Sequence, residues 1–175
     1  MTNQDVQRWA CEVASWREAK GFVTSWENVT QKLFLTICEL AEAGECVRKG
    51  QWETVQENGK PEGFPAEIAD VAIRILDLIG SLTLKVQHAQ PVEVKNCSKD
   101  TMLDTLMELT GDLSYADAVQ KEDRQWLAED LCIVLGKLYT ISGVIGFDLL
   151  AEITSKQVYN HGRPYRHGTV NLGGA

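Results

Sequence analysis

Residues 26–50, WENVTQKLFLTICELAEAGECVRKG, and residues 65–82, PAEIADVAIRILDLIGSL, decide the fold. In the first stretch Val29, Leu33, Ile37, Leu40 and Val47 recur at steps close to the helical period, and Gly50 supplies a C-terminal stop. In the second, Pro65 stands where a helix tolerates a missing N–H, and Ile68, Val71, Ala72, Ile75, Ile79 and Leu82 continue an apolar stripe. The intervening QWETVQENGKPEGFP is broken by Gly and Pro and reads as a loop. Two amphipathic helices joined by one loop predict an antiparallel hairpin.

The same period extends outward. A first helix is predicted from about Gln4 to Lys20, with Val6, Trp9, Val13 and Trp16 on one stripe and Gly21 at its end. The pattern lapses between Lys85 and Lys99 around Pro91, then resumes as predicted helices over roughly Asp100–Val119, with Gly111 inside it, and Glu122–Ser142. Gly143 and Gly146 precede a last helix from about Phe147 to Asn160, and HGRPYRHGTVNLGGA forms a tail. No Val/Ile/Thr-rich alternating strand is evident and no repeat of solenoid length occurs. The expectation is an all-α fold: one domain over residues 1–175, a helical bundle of about five to six helices around the central hairpin.

The composition, 44% hydrophobic and 24% charged over 175 residues, is that of a globular chain able to bury a core. The first twenty residues carry charges throughout, and no window approaches the apolar length of a membrane span, so no membrane is expected and a cytoplasmic location is. Cys11, Cys38, Cys46, Cys97 and Cys132 form neither CxxC nor CxxH and read as small buried hydrophobes. The net charge of −8 argues against a nucleic-acid polymer as partner. The charge is uneven: beyond Glu152 there is no acidic residue, and Lys156, Arg163 and Arg166 give that end +3, leaving −11 on the rest. A cationic end on an acidic body suits a polyanionic small molecule held beside a metal.

On helical wheels Glu39 and Glu42 share one side of the second helix, and Glu67 and Asp70 one side of the third. Glu45 has Lys49 and Arg48 within a turn as partners, Glu67 lies near a helix N-terminus and Asp70 has Arg74 four residues on. Glu39 and Glu42 meet Ala43 and Cys46 at that offset, so their repulsion is not relieved locally. Four carboxylates converging from two helices would need a cation, and oxygen donors without His or Cys suit Mg²⁺, with Mn²⁺ as substitute. A di-iron Glu-x-x-His site is disfavoured, because Lys85, Val158 and Pro164 stand three before His88, His161 and His167. Neither Gly59-Lys60 nor Gly136-Lys137 is followed by Ser or Thr, so no P-loop is present.

In order, ELAEAGECVRKG, EIADVAIRILDLIG and KQVYNHGRPYRHG resemble the MazG-like all-α nucleoside triphosphate pyrophosphohydrolases, over roughly residues 26–84 and 147–168. Residues 85–146 form an extra helical segment without a clear family counterpart. The resemblance implies hydrolysis of a (d)NTP to (d)NMP and pyrophosphate, with Mg²⁺ held by Glu39, Glu42, Glu67 and Asp70 on the hairpin. Glu42 or Glu45 would take the proton of the attacking water. Lys156, Asn160 and Arg163 would bind the triphosphate, with Lys156 alternatively serving only to complement a helix C-terminus. Asp77, on the stripe of Glu67 and Asp70, is counted with the substrate-binding set, as a further ligand or as a partner of Arg74. For the base, Trp26 or Trp52 would stack, unless they pack in the core or loops. A homo-oligomer, dimer or tetramer, is also implied, although residues 85–146 are able to supply the covering helices within one chain. Two alternatives stand beside this reading: a non-catalytic helical binding or dimerisation module on the same fold, and a related phosphoribosyl-ATP pyrophosphohydrolase.

Overall fold

The computed structural model describes residues 2–121 and 123–165. Glu122, expected to open a helix, and Arg166, counted in the cationic end, lie outside the described residues, as does the tail beyond them. Among the described residues six helices run in order: α1 (Asn3–Ala19), α2 (Val29–Lys49), α3 (Phe64–Ser81), α4 (Met102–Gln120), α5 (Arg124–Ile145) and α6 (Leu149–His161). The chain is mostly helical, as its periodicity predicts, and no single helix among the described residues is long and apolar enough to cross a membrane.

The predicted loop between α2 and α3 departs from expectation by containing a small antiparallel hairpin, β1 (Val55–Glu57) and β2 (Lys60–Glu62), with Glu57 opposite Lys60. Its turn is Asn58-Gly59, both at positive φ (52° and 80°). This is the residue pair that a two-residue turn between right-twisted strands favours. The dipeptide signal was present in the sequence, but flanking strands of three residues are too short to show alternation.

Local chemistry sets the helix ends. Thr2 caps α1 in a capping box with Asp5, and Asp148 caps α6 by accepting from the N–H groups of Leu150 and Ala151. Gly50 ends α2 in the left-handed conformation. Gly63 precedes α3 at φ 108°, where a Cβ would lie 2.2 Å from the Glu53 carbonyl oxygen, so only glycine lets the loop pass.

Helix α3 is the centre of the molecule. Fourteen of its eighteen residues are buried, and α1, α2, α5 and α6 all pack on it. Apolar side chains from all six helices join one continuous cluster. The segment between α3 and α4 is not helical yet docks firmly: Asn3 binds Gln87 and Ala89, Gln7 binds Leu84 and Val86, and Thr140 binds the Val92 carbonyl. Residues 85–146 thus cover α2 with α4, and α3 with α5.

Helices α1 and α3 cross at Gly80, where an added Cβ would stand 2.1 Å from the Ala10 carbonyl oxygen. Backbone meets backbone there, so the helices must part to admit a methyl group. Gly80→Ala is expected to destabilise by about 2 kcal/mol or more despite its better helix propensity. The check is a lower denaturation midpoint at unchanged m value.

Candidate metal centre

Because α3 is surrounded, its polar residues have nowhere to go but into a seam. Glu67, Asp70, Arg74, Asp77 and Ser81 follow one another at steps of three and four along a helix that is otherwise almost wholly apolar and buried. Three other helices supply their partners: α6 for Glu67 and Asp70, α2 for Arg74 and α1 for Asp77, while Ser81 donates to Asp77 within the seam.

Glu67 (3% exposed) and Asp70 both face Lys156 of α6, whose ammonium lies 2.6 Å from Asp70 Oδ2 and 3.7 Å from Glu67 Oε1. Lys156 is 1% exposed. It therefore does more than complement a helix terminus, although its Nζ makes no well-aligned hydrogen bond. Arg74 reaches across to α2, where its Nε (2.7 Å) and Nη2 (2.6 Å) hold the same Oε1 of Glu39. Arg74 thus serves Glu39, not Asp70 at i−4 or Asp77, and supplies the relief that α2 lacked locally.

Glu39, Glu67 and Asp70 each offer one oxygen within 4.8 Å of the other two. Burial pushes the Glu67 carboxyl up to about 7, and the charges of Asp70, Glu42 and Glu39 add to the rise against the opposing pull of Lys156. Burial raises Glu39 too, Arg74 opposing it and Asp70 adding to it. Carboxylates this crowded and this poorly hydrated gain from a hard cation. All donors are oxygens, so the set fits Mg²⁺ or Mn²⁺.

The other expected site residues fall into three groups. Glu42 is exposed and stands outside the triad, lining a groove with Glu45, Glu57, Glu62 and Glu67. The cause is angular: with Glu39 turned inward, the residue three positions on lies about 60° round the helix. Glu45 is exposed on the same groove and paired with Arg48 at 2.5 Å instead of Lys49. Asn160 and Arg163 lie at the end of α6 and line a cavity together with Lys156. Asp77 is neither a ligand of the cluster nor a partner of Arg74. It is 3% exposed and accepts from Arg17 Nε (2.7 Å), Thr24 Oγ1 (2.7 Å) and Ser81 Oγ (3.0 Å), a buried network one further step along the seam.

The cavity, about 360 Å³, opens on the Glu39 and Asp70 side of the carboxylates. Arg17, Lys32, Lys60, Arg74, Lys156 and Arg163 line it, against Glu39 and Asp70 as its acidic residues. Trp16, Phe22 and Tyr159 give it aromatic walls. Lys32 is held below the ordinary lysine range, first by burial and then by the positive charge of Arg17. Such crowding of cations is what a bound polyanion relieves.

Sequence reasoning missed the contribution of α1, which brings Trp16 and Arg17. Lys20 fixes that arrangement by donating to the carbonyls of His161 and Arg163, and Trp16 stacks near His161 at 5.3 Å. Trp26 lies under Arg124, and Trp52 packs by Phe64 and Lys99; neither lines the cavity. No family model, curated protein or solved structure matches this chain.

Proposed function

We propose that the chain is an Mg²⁺-dependent nucleoside triphosphate pyrophosphohydrolase, as its resemblance to the MazG-like family implies, with the metal site carried on an antiparallel hairpin of α2 and α3. The single observation that supports this most is that Glu39 and Asp70 of the Glu39, Glu67 and Asp70 cluster stand on the wall of a cavity lined by six cationic and three aromatic side chains. A hard-cation site beside a cationic, aromatic chamber matches a metal-bound polyphosphate attached to a flat base.

In this reading Glu39, Glu67 and Asp70 hold the ion, and Glu42 completes the set from the groove side. Mg²⁺ bound there supplies Lewis-acid polarisation of phosphoryl oxygens and lowers the pKa of water. Lys156, already beside the carboxylates, neutralises the phosphates nearest the cation, and Asn160 and Arg163 orient those further out. Glu42 is exposed and pairs with no cation among the described residues, so the oxygen it does not give to the metal is available to accept a proton, whereas Glu45 is engaged by Arg48. The base lies among Trp16, Phe22 and Tyr159.

The test is pyrophosphate release from the standard dNTPs, the NTPs and phosphoribosyl-ATP, with and without Mg²⁺. Release that requires Mg²⁺ is expected, and the ranking names the substrate; a folded chain that releases none from any of them is a binding module instead. Copies of the chain are proposed to associate, supported by exposed Phe34 on α2 and by Leu103, Met107 and Tyr115 along α4. Sedimentation mass checks this.

A further inference from the structure

The seam of α3 does not end at the carboxylates. Asp77 is buried and carries three accepted hydrogen bonds, two of them from residues outside its own helix: Arg17 at the end of α1 and Thr24 in the segment that follows it. It does not line the cavity, but Arg17 does. The Arg17 side chain is 12% exposed, its Nε is spent on Asp77, and its guanidinium lies 4.9 Å from the centre of the Phe22 ring. Its terminal nitrogens hydrogen-bond to no other described residue. A guanidinium gripped on one edge and backed by a ring presents its remaining N–H groups as a rigid fork, the arrangement that suits phosphate.

Resting on the reading of the cavity as a polyphosphate site, we propose that Arg17 is a phosphate-binding residue and that Asp77 is the positioning residue that aims it. Through this pair the first helix completes the site: without Asp77 the guanidinium would have neither a fixed edge nor a neutralising charge beside Lys32 and Arg74. Thr24 and Ser81 hold the Asp77 carboxylate so that one oxygen points at Arg17. The ligand addressed is the part of a polyphosphate chain remote from the hydrolysed bond or, in a chain that is not a hydrolase, any linear polyphosphate.

The experiment is calorimetric titration of the full chain with inorganic tripolyphosphate in the presence of Ca²⁺, and with orthophosphate for comparison. Arg17→Met and Asp77→Asn are each expected to weaken tripolyphosphate binding by about tenfold or more, with the double variant no weaker than Arg17→Met and orthophosphate unaffected. Additive losses, equal losses for both anions, or undiminished binding by Arg17→Met would overturn the proposal. Should Asp77→Asn fail to fold, Arg17→Lys decides: it keeps the charge but not the fork, so wild-type affinity in it removes any need for aiming. Because no turnover is measured, a chain that binds tripolyphosphate through Arg17 yet releases no pyrophosphate sinks the hydrolase reading and leaves this one standing. A hydrolase whose affinity ignores Arg17 does the reverse.

Discussion

Glu67→Gln is expected to stabilise the metal-free protein at pH 8, by on the order of 3 kcal/mol, and to lower Mg²⁺-dependent turnover about a hundredfold or more. The opposed directions follow from one fact: Glu67 is 3% exposed among other carboxylates, and its carboxyl ionises only near 7, where an ordinary glutamate ionises near 4.5. Between those values the folded chain holds a proton that the unfolded chain has already released. Stability must therefore fall as pH rises through that window and level off above it. The amide is isosteric and never ionises, so the variant lacks this slope, and the two chains converge near pH 4 or below. If Mg²⁺ binds the ionised form, as proposed, saturating Mg²⁺ should restore the wild type at pH 8 while leaving the variant unmoved. Denaturant melts at several pH values, with and without Mg²⁺, read all three features. A wild type as stable at pH 8 as at pH 5, or a variant that responds equally to Mg²⁺, would remove Glu67 from the metal set.

That site is an example of what one sequence carries and what it cannot. The two helices were legible because their apolar period is strong, and Glu39 with Glu42 stood out as charge that no neighbour on their own helix relieved, whereas Glu67 and Asp70 stood out only as a second pair at the same spacing. The inward turn of Glu39 and the outward turn of Glu42 were not legible, since both lie within one broad wheel sector and it is the packing of α2 against α3, where Arg74 meets Glu39, that distinguishes them. Arg74 illustrates the same limit: its i−4 carboxylate, Asp70, is the partner a single helix suggests, yet Glu39 across the interface takes it. Asp77 finds Arg17 at a separation of sixty residues. No periodicity encodes such a contact, which exists because Gly80 lets α1 approach α3 closely enough for an arginine in its last turn to reach the seam. The β1–β2 hairpin was different in kind, because Asn58-Gly59 does state its turn.

Lys156→Met is expected to cost the metal-free protein about 3–5 kcal/mol, a large share of the stability of a domain this size. Lys156 is the most buried charged residue among the described residues, 1% exposed, and its ammonium faces Asp70 at 2.6 Å and Glu67 at 3.7 Å. Methionine has similar length and removes the charge with little change of volume, so the cost is that of leaving two carboxylates beside an apolar tip. Glu67 can escape part of that cost by protonation, which makes the loss smaller at pH 5 than at pH 8. A divalent cation can take over the missing charge, so Mg²⁺ should recover more stability in Lys156→Met than in the wild type, where the ammonium competes for the same oxygens. Turnover should not recover with it, because a phosphate entering the cavity would still meet no cation at that position. Melts of both chains with increasing Mg²⁺ decide the matter. A loss under about 1 kcal/mol that ignores pH would mean that water already reaches and solvates these carboxylates. A full loss that Mg²⁺ does not touch would mean that Glu39, Glu67 and Asp70 form an ion-pair core and not a metal centre.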